Sequence, residues 1–392
     1  MPDLLRQDVI AAADTVVVKI GTRVLTGPDG ALDHARVEAI AGQLAAAWKS
    51  GRKVVLVSSG AVGAGLGRLQ ANQRPADVAQ LQAAAAIGQS ALIESYNRAL
   101  EPHGLLAAQV LLIAEDLQDR RRYLNVRNTL SALFQSDAIP IINENDALSV
   151  EELQLSFGDN DRLAALVTNL IRAPLLVLLS DVDGVYDRDP KEPGAKVLPV
   201  ITNLGQTQDR VVSERPAVPG VSLGKGGMAS KLQAASIAAA AGESVVIANG
   251  HADNVLDQVL AAEPVGTLIL AEEGKAVGSR KRWIGWSASP QGELQLDAGA
   301  QRAVADRGGS LLAVGVTGVQ GDFVKGDLVS LVGPAGNEFA RGLTNYTSAE
   351  VRQIAGHPAT DIAELLGHHP YDEVIHRDNL TVTAQPVATE SP

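Results

Sequence analysis

No cysteine occurs among the 392 residues, which excludes disulfides, thiolate nucleophiles and cysteine-ligated metals together. Aromatic residues are only 3% of the chain, so its cores rest on Ala, Val, Leu and Ile, and a surface stacking bases or sugars on aromatic rings is disfavoured. Positive charge is also in deficit. Against 45 Asp+Glu there are 33 Lys+Arg, a formal net charge of −12, and such a chain repels phosphate backbones unless cations are gathered locally. Apolar runs of bilayer-spanning length are lacking: the best, Leu163–Leu179, is interrupted by Asn169, Arg172 and Pro174. Met1–Ala13 carries Asp3, Arg6, Gln7 and Asp8 and no apolar h-region, so a signal peptide is not expected and a cytoplasmic protein without membrane contact is. The P-loop pattern G-x-x-x-x-G-K-[ST] is missing, and the glycine spacing near residue 60 is not that of a dinucleotide fold, which disfavours P-loop ATPases and nicotinamide enzymes.

What is present is ample apolar side chain, 46% of the residues, and a length that suggests two or three domains. Up to about residue 270, β-branched runs alternate with Ala-rich helical stretches. Strands are expected at Thr15–Ile20, Lys53–Val57, Leu105–Ile113, Ile139–Ile142, Leu175–Leu179 and Ser244–Ile247. Helices are expected at Val37–Ser50, Ala79–Leu100, Leu117–Gln135, Asp161–Ile171 and Met228–Ala241. This alternation predicts a mainly parallel sheet covered on both faces. Past Gln291 the texture changes to short strands, Ser310–Val316, Leu328–Val332 and Glu338–Leu343, punctuated by glycine, as in a compact β-barrel or sandwich. The expected division is residues 1–275, a linker at 276–290, a β-rich domain at 291–375 and a flexible tail at 376–392.

Five segments carry chemistry. In Val16-Val17-Val18-Lys19-Ile20-Gly21-Thr22 a lysine and a glycine leave a buried parallel strand at the edge where α/β ligands bind. Ser58-Ser59-Gly60-Ala61-Val62-Gly63-Ala64-Gly65 again opens a strand into small residues and a helix, with free N–H donors for an anion, or serves a tight turn and close helix packing. Asn143-Glu144-Asn145-Asp146, with Gly158-Asp159-Asn160-Asp161, crowds carboxylates and amides around one strand mouth and one helix start, where Asp161 also suits a cap. Ser180-Asp181-Val182-Asp183-Gly184 ends a further strand. Gly224-Lys225-Gly226-Gly227-Met228-Ala229-Ser230-Lys231 places Lys231 in the first turn of a helix, where a cation is unfavourable without an anion beside it; a polyphosphate would be such an anion.

In this order the segments resemble the amino-acid kinase family, most closely its members that phosphorylate free glutamate, over roughly residues 15–375. Arg280–Ile284 is part of the match, and "GSLLAVGVTGVQGDFVKGDLVSLV" resembles a PUA module. The resemblance implies a three-layer αββα sandwich with a mainly parallel sheet, followed by a small β-barrel-like PUA domain. It implies ATP-dependent phosphorylation of the L-glutamate side-chain carboxylate to L-glutamyl 5-phosphate, the first step of proline biosynthesis, with Mg²⁺ held by ATP and no metal ligand from the protein. Feedback inhibition by proline and a homodimer or homotetramer follow from it too. Carried over by position, Lys19 and Lys231 hold the transferring phosphoryl group, and Asp159 and Asp161 organise the site. Ser59, Asp146 and Asn160 bind glutamate. Lys19, Gly21, Ser180, Asp181 and the loop Lys225, Gly226, Gly227, Met228, Ala229, Ser230, Lys231 bind ATP. Ser180 and Lys225 stand where the family commonly has Thr, and Ala229 where Ser or Thr is frequent.

The chemistry suits these residues. A carboxylate nucleophile is already ionised at neutral pH and needs no general base; the barrier is the approach of one anion to another, which placed cations lower. Two lysines brought close need a carboxylate between them, a position open to Asp161. Another acceptor on the same fold (acetylglutamate, aspartate, carbamate or a nucleoside monophosphate) is the competing enzyme reading. RNA binding by the C-terminal module is disfavoured, since residues 291–373 hold five Lys/Arg and eleven Asp/Glu. Arg120–Arg122, at a helix start, is open to a solvated basic turn or to contact with substrate or a neighbouring subunit, and His368-His369 is read as a loop.

Overall fold

The computed structural model describes residues 3–27, 30–70, 75, 77–148, 159–202, 204, 227–271, 281, 284–285, 289–368 and 371–383. Two compact units divide the chain: Met1–Asp116 with Arg121–Ala276, and Val277–Pro392 with Leu117–Arg120.

The first unit is built on one sheet. Its strands are β1 (Thr15–Ile20), β2 (Lys53–Ser58), β3 (Leu106–Leu112), β4 (Ala138–Glu144), β5 (Leu175–Ser180), β6 (Val200–Ile201), β7 (Ser244–Asn249) and β8 (Thr267–Ile269), in the order β3-β4-β2-β1-β5-β7-β8-β6. From β3 to β7 every pairing is parallel; β8 runs antiparallel to β7. The Val-, Leu- and Ile-rich centre follows from burial on both faces: β1, β4 and β5 are buried along their whole length. Val16, Val18 and Ile20 share a core with residues of the helices His34–Lys49, Val78–Leu100 and Val255–Leu260. On the opposite face Lys19 meets the helix Asp159–Ile171, which packs beside Met228–Ala240. Helices thus cover both faces of one sheet, an αβα arrangement. The αββα expectation is corrected here, because among the described residues of this unit no second sheet layer occurs. Another finding beyond the sequence reading is the antiparallel edge, whose β8 is only three residues long.

Parallel strands share one carboxyl edge, and the chain runs from β1 to β2 on one side but reaches β5 on the other. This reversal opens a crevice at the ends of β1, β2 and β5, where ligands bind in such sheets. Register brings Ile20 opposite Ser58 and Leu179 there. Two local features set the crevice walls. The helix Ala61–Arg68 crosses Val78–Leu100 with backbones in contact, since a Cβ on Gly65 would lie 1.8 Å from Ala84 O and one on Gly88 1.8 Å from Ala61 O. Gly227, in the left-handed region at φ +110, turns the chain into Met228–Ala240. At the N-terminus, Arg6 of the helix Leu4–Ala12 is buried and donates from its guanidinium to the carbonyls of Val265, Pro199 and Gly266 at 2.8–2.9 Å, clipping that helix to the approaches to β6 and β8.

In the second unit β9 (Gly292–Leu296), β11 (Val316–Gly321), β12 (Leu328–Val332), β13 (Glu338–Leu343) and β15 (Leu380–Val382) form a five-stranded sheet, with β11 and β15 at its edges. β10 (Leu311–Leu312) pairs with β14 (Glu373–Ile375). Leu294, Val329, Leu331, Phe339 and Ile375 belong to one core. The expected strand Ser310–Val316 is broken by a helical turn at Ala313–Gly315, where Gly315 packs against Ala300. The tail expected to be free from 376 instead enters the sheet: Leu380 is buried and β15 pairs with β13. Ile284, expected in a linker, is fully buried, and Gly285 O accepts from Arg341. His368 lies 3.3 Å from Glu350. No helix among the described residues is long and apolar enough to cross a membrane.

Candidate active site

Lys19 is the fifth residue of β1, one step from its carboxyl end, and Asp161 stands in the first turn of Asp159–Ile171. Their ion pair closes at 2.6 Å on Asp161 Oδ1. Lys231, in the first turn of Met228–Ala240, reaches Asp161 Oδ2 at 3.2 Å, and Ser230 Oγ donates to the same oxygen at 2.9 Å. All three charged side chains are at most 9% exposed. Burial pulls the Lys19 ammonium below its ordinary value, the neighbouring Lys231 pulls the same way, and Asp161 only partly opposes them. For Asp161 burial acts to raise the carboxyl, but the two lysines outweigh it and the group ends below the usual carboxylate range. Two helix N-termini and two ammonium groups therefore converge on one carboxylate, leaving the surroundings electropositive.

Beside this knot runs a chain of neutral groups. Gln89 Oε1, on Val78–Leu100, accepts from Asn143 Nδ2 of β4 at 2.8 Å. Asn143 Oδ1 accepts from Asn160 Nδ2 at 3.1 Å, and Asn160 Nδ2 also donates to Ser59 Oγ at 3.0 Å. Ser59 follows β2 directly and is buried; its neighbour Ser58 holds Tyr96 OH at 3.2 Å. Asp146 lies half-buried in the turn immediately after β4.

On the far side of Lys19, Ser180 ends β5 and donates to Asp181 Oδ1 at 3.0 Å, while Arg23 donates to Asp181 Oδ2 at 2.7 Å. Burial acts to raise the Asp181 carboxyl, but its bonds to Arg23 and Ser180 hold it below its ordinary value. Next to it, Asp183 accepts from Asn249 of β7 and from Tyr186. The Gly21 N–H is spent inside the sheet on Leu179 O, at 3.1 Å. A Cβ on Gly21 would sit 3.8 Å from Lys19 Nζ, an ordinary van der Waals contact, so crowding does not by itself demand a glycine.

Of the residues singled out by sequence, Lys19, Gly21, Ser59, Asn160, Asp161, Ser180, Asp181, Ser230 and Lys231 gather around this carboxyl edge, with Asp146 at the end of β4 and Gly227, Met228 and Ala229 opening the helix of Lys231. Lys225 and Gly226 lie outside the described residues, as does the side chain of Asp159. Sequence reasoning assigned nothing to Gln89, Asn143 or Arg23. Gln89 left a trace, being in helical phase with Ala85, Leu92 and Tyr96 on a buried stripe where a glutamine is out of place.

A profile of the amino acid kinase family matches residues 14–249, and one of the PUA domain matches residues 292–366. The chain is 45% identical over 382 residues to the glutamate 5-kinase of Rhodopirellula baltica, covering 97% of each. Identity to the glutamate 5-kinase of Trichlorobacter lovleyi is 42% over 380 residues, 96% of this chain and 99% of that one. For that of Moorella thermoacetica it is 44% over 374 residues, 95% and 97%. A catalytic crevice at the switch point of the sheet, a family match across most of the first unit and end-to-end similarity to phosphotransferases lead to one conclusion: the chain is an enzyme of the amino acid kinase family with a C-terminal PUA domain.

Proposed function

We propose that the chain transfers the γ-phosphoryl group of ATP to the side-chain carboxylate of L-glutamate, giving L-glutamyl 5-phosphate and ADP, the first step of proline biosynthesis. The observation that carries the reading is the pair of ammonium groups, from β1 and from a helix more than two hundred residues later, held on the two oxygens of Asp161. Between two anions that must meet, such cations stabilise charge on the transferring group and the leaving oxygen, an effect worth several kcal/mol when preorganised. Asp161 keeps the lysines at a fixed separation and hands them over as the phosphates enter. The acceptor carboxylate attacks as it is, so no general base is assigned. Ser59, Asn160 and Asp146 take the acceptor, with Asp146 and Asn160 on the ammonium and Ser59 on the α-carboxylate. Ser180, Asp181 and residues 225–231 take the nucleotide, and Asp159 helps organise the centre.

When bound with the nucleotide, Mg²⁺ would neutralise part of the polyphosphate charge. Asp161 is a poor ligand for it, since both oxygens already face cations, and the phosphates with water fit a hard ion that retains its hydration. The same reading brings proline as feedback inhibitor, assembly as a homodimer or homotetramer, and barrel closure of the C-terminal sheet. The test is hydroxylamine trapping: with glutamate, ATP and Mg²⁺ the hydroxamate should accumulate, and less of it when proline is added. No hydroxamate with glutamate, but one with acetylglutamate or aspartate, would transfer the reading to another acceptor.

A further inference from the structure

Three neutral amides and a hydroxyl line up across the sheet edge from one helix layer to the other, and their bonding direction is readable. Gln89 presents Oε1 to Asn143, so Asn143 turns its Nδ2 back and its Oδ1 forward. Asn160 must then turn Nδ2 inward, where both its hydrogens are used, on Asn143 Oδ1 and on Ser59 Oγ. Two consequences follow. Asn160 Oδ1 is left as a buried acceptor without a partner, and Ser59 Oγ, having accepted, keeps its own proton to give. At the other end Gln89 Nε2 is likewise buried and unpartnered, although the residue is 8% exposed. Leaving a donor and an acceptor desolvated costs free energy, and the cost is offset if a ligand completes the acceptor end.

We propose that Gln89 is a positioning residue that sets the polarity of this relay, and thereby makes the acceptor site select a substrate bearing an ammonium group next to a carboxylate. This rests on the reading of glutamate as acceptor. With the relay in the observed direction, Asn160 offers an oxygen to the ammonium and Ser59 offers a hydrogen to the carboxylate. Reversed, Asn160 would present Nδ2, a donor facing a donor, and the ammonium would be rejected. An amide can adopt either direction unless its neighbour prevents it. Gln89, whose Oε1 takes the Asn143 Nδ2 hydrogen, is that neighbour, although it lies two side chains away from the substrate.

The test compares glutamate with glutarate, which keeps both carboxylates and lacks the ammonium, as acceptors for the full-length enzyme with ATP and Mg²⁺, reading ADP release. Gln89→Met keeps the volume and removes the bonding. Gln89→Glu can only accept from Asn143, so it locks the observed direction. The expected result is a glutamate-to-glutarate ratio of kcat/KM that falls about tenfold in Gln89→Met, as for one misdirected buried hydrogen bond, through KM for glutamate more than through kcat and with KM for ATP little moved. Gln89→Glu should hold the ratio at the wild-type value or above. A merely structural glutamine would lower turnover on both acceptors alike and leave the ratio unchanged, which overturns the proposal. So does a Gln89→Glu enzyme whose ratio collapses, an outcome that decides the matter even when Gln89→Met fails to fold. A wild-type enzyme that turns over neither acceptor defeats the function proposed above and this inference with it, whereas glutamate turnover with an indifferent ratio defeats this inference alone.

Discussion

The lysine knot is charged and closed on itself, whereas the amide relay beside it is neutral and left open. Lys19, Asp161 and Lys231 satisfy one another. Along the amide relay, by contrast, polar atoms remain desolvated and unpaired at both ends. Physical chemistry accounts for the difference. Two buried ammonium groups facing nothing would repel each other and shed protons, so the charged end has to be assembled around a resident anion. Neutral amides carry a smaller penalty when unpaired, and their geometry, unlike a point charge, distinguishes donor from acceptor. On the function proposed above, catalytic power belongs to the closed end and substrate discrimination to the open one. Breaking either end should disturb a different kinetic constant.

The largest effect is expected at the closed end. Lys231→Ala removes a cation needed most as charge moves between the reacting oxygens, so kcat should fall by roughly 10²-fold or more while KM for glutamate changes far less. Steady-state kinetics with saturating ATP decide this; an unaltered kcat removes Lys231 from the mechanism. At the open end the pattern should invert. Asp146→Ala takes away an acceptor for the ammonium in the turn after β4, and KM for glutamate should rise by about tenfold or more, as when a hydrogen bond to a charged group is lost. A KM that stays put assigns the ammonium elsewhere.

How much of this was legible in the residues follows the same divide. The lysine knot was readable because each member carries its own signal: a lysine leaving a Val-rich strand, a lysine in a helix's first turn behind glycines, and an acidic residue at another helix start. Electrostatics then demands that two cations near one another find an anion. The relay was hidden. Asn143 stood in a conspicuous polar run, but Gln89 lies 54 residues away in an Ala-rich helix, and amide pairing depends on where two helices cross. That crossing was itself only half readable: the small residues at 60–65 suggested a turn or close packing, yet their partner Gly88 showed no sign of its role. The antiparallel β8 and the late β15 escaped for another reason, being three-residue strands whose pairing comes from the sheet and not from their own pattern.

The crossing offers a way to disturb the open end without touching a polar atom. A Cβ at position 88 would fall 1.8 Å from Ala61 O and 2.3 Å from Gly65 N, and backbone cannot yield as a flexible side chain does. Gly88→Ala should cost about 1–3 kcal/mol of stability, visible as a lower urea midpoint. Because Gln89 is the next residue, KM for glutamate should worsen more than kcat. Equal loss in both constants would mean that the crossing supports the fold alone.

The smallest expected effect is also the one that examines the closed end most directly, through pH. Asp161 titrates below its ordinary range in the folded chain because the lysines outweigh its burial. It therefore contributes stability that is complete above the unfolded carboxylate value, near 3.9, and is lost as pH falls through the depressed folded value. Asp161→Asn should destabilise at neutral pH, and its deficit against the wild type should shrink in acid. Lys19 works with the opposite sign. Burial and Lys231 hold it below the ordinary lysine value, so its proton leaves the folded enzyme more readily than the unfolded chain, and stability gains as pH rises through that lowered value. Activity runs the other way, since a neutral Lys19 stabilises no phosphoryl charge. The alkaline limb of kcat/KM, which reports the free enzyme, should accordingly begin below the range of a free lysine while the fold holds firm. An alkaline limb that coincides with unfolding would assign the loss to the scaffold, and the closed end would lose its claim to the chemistry.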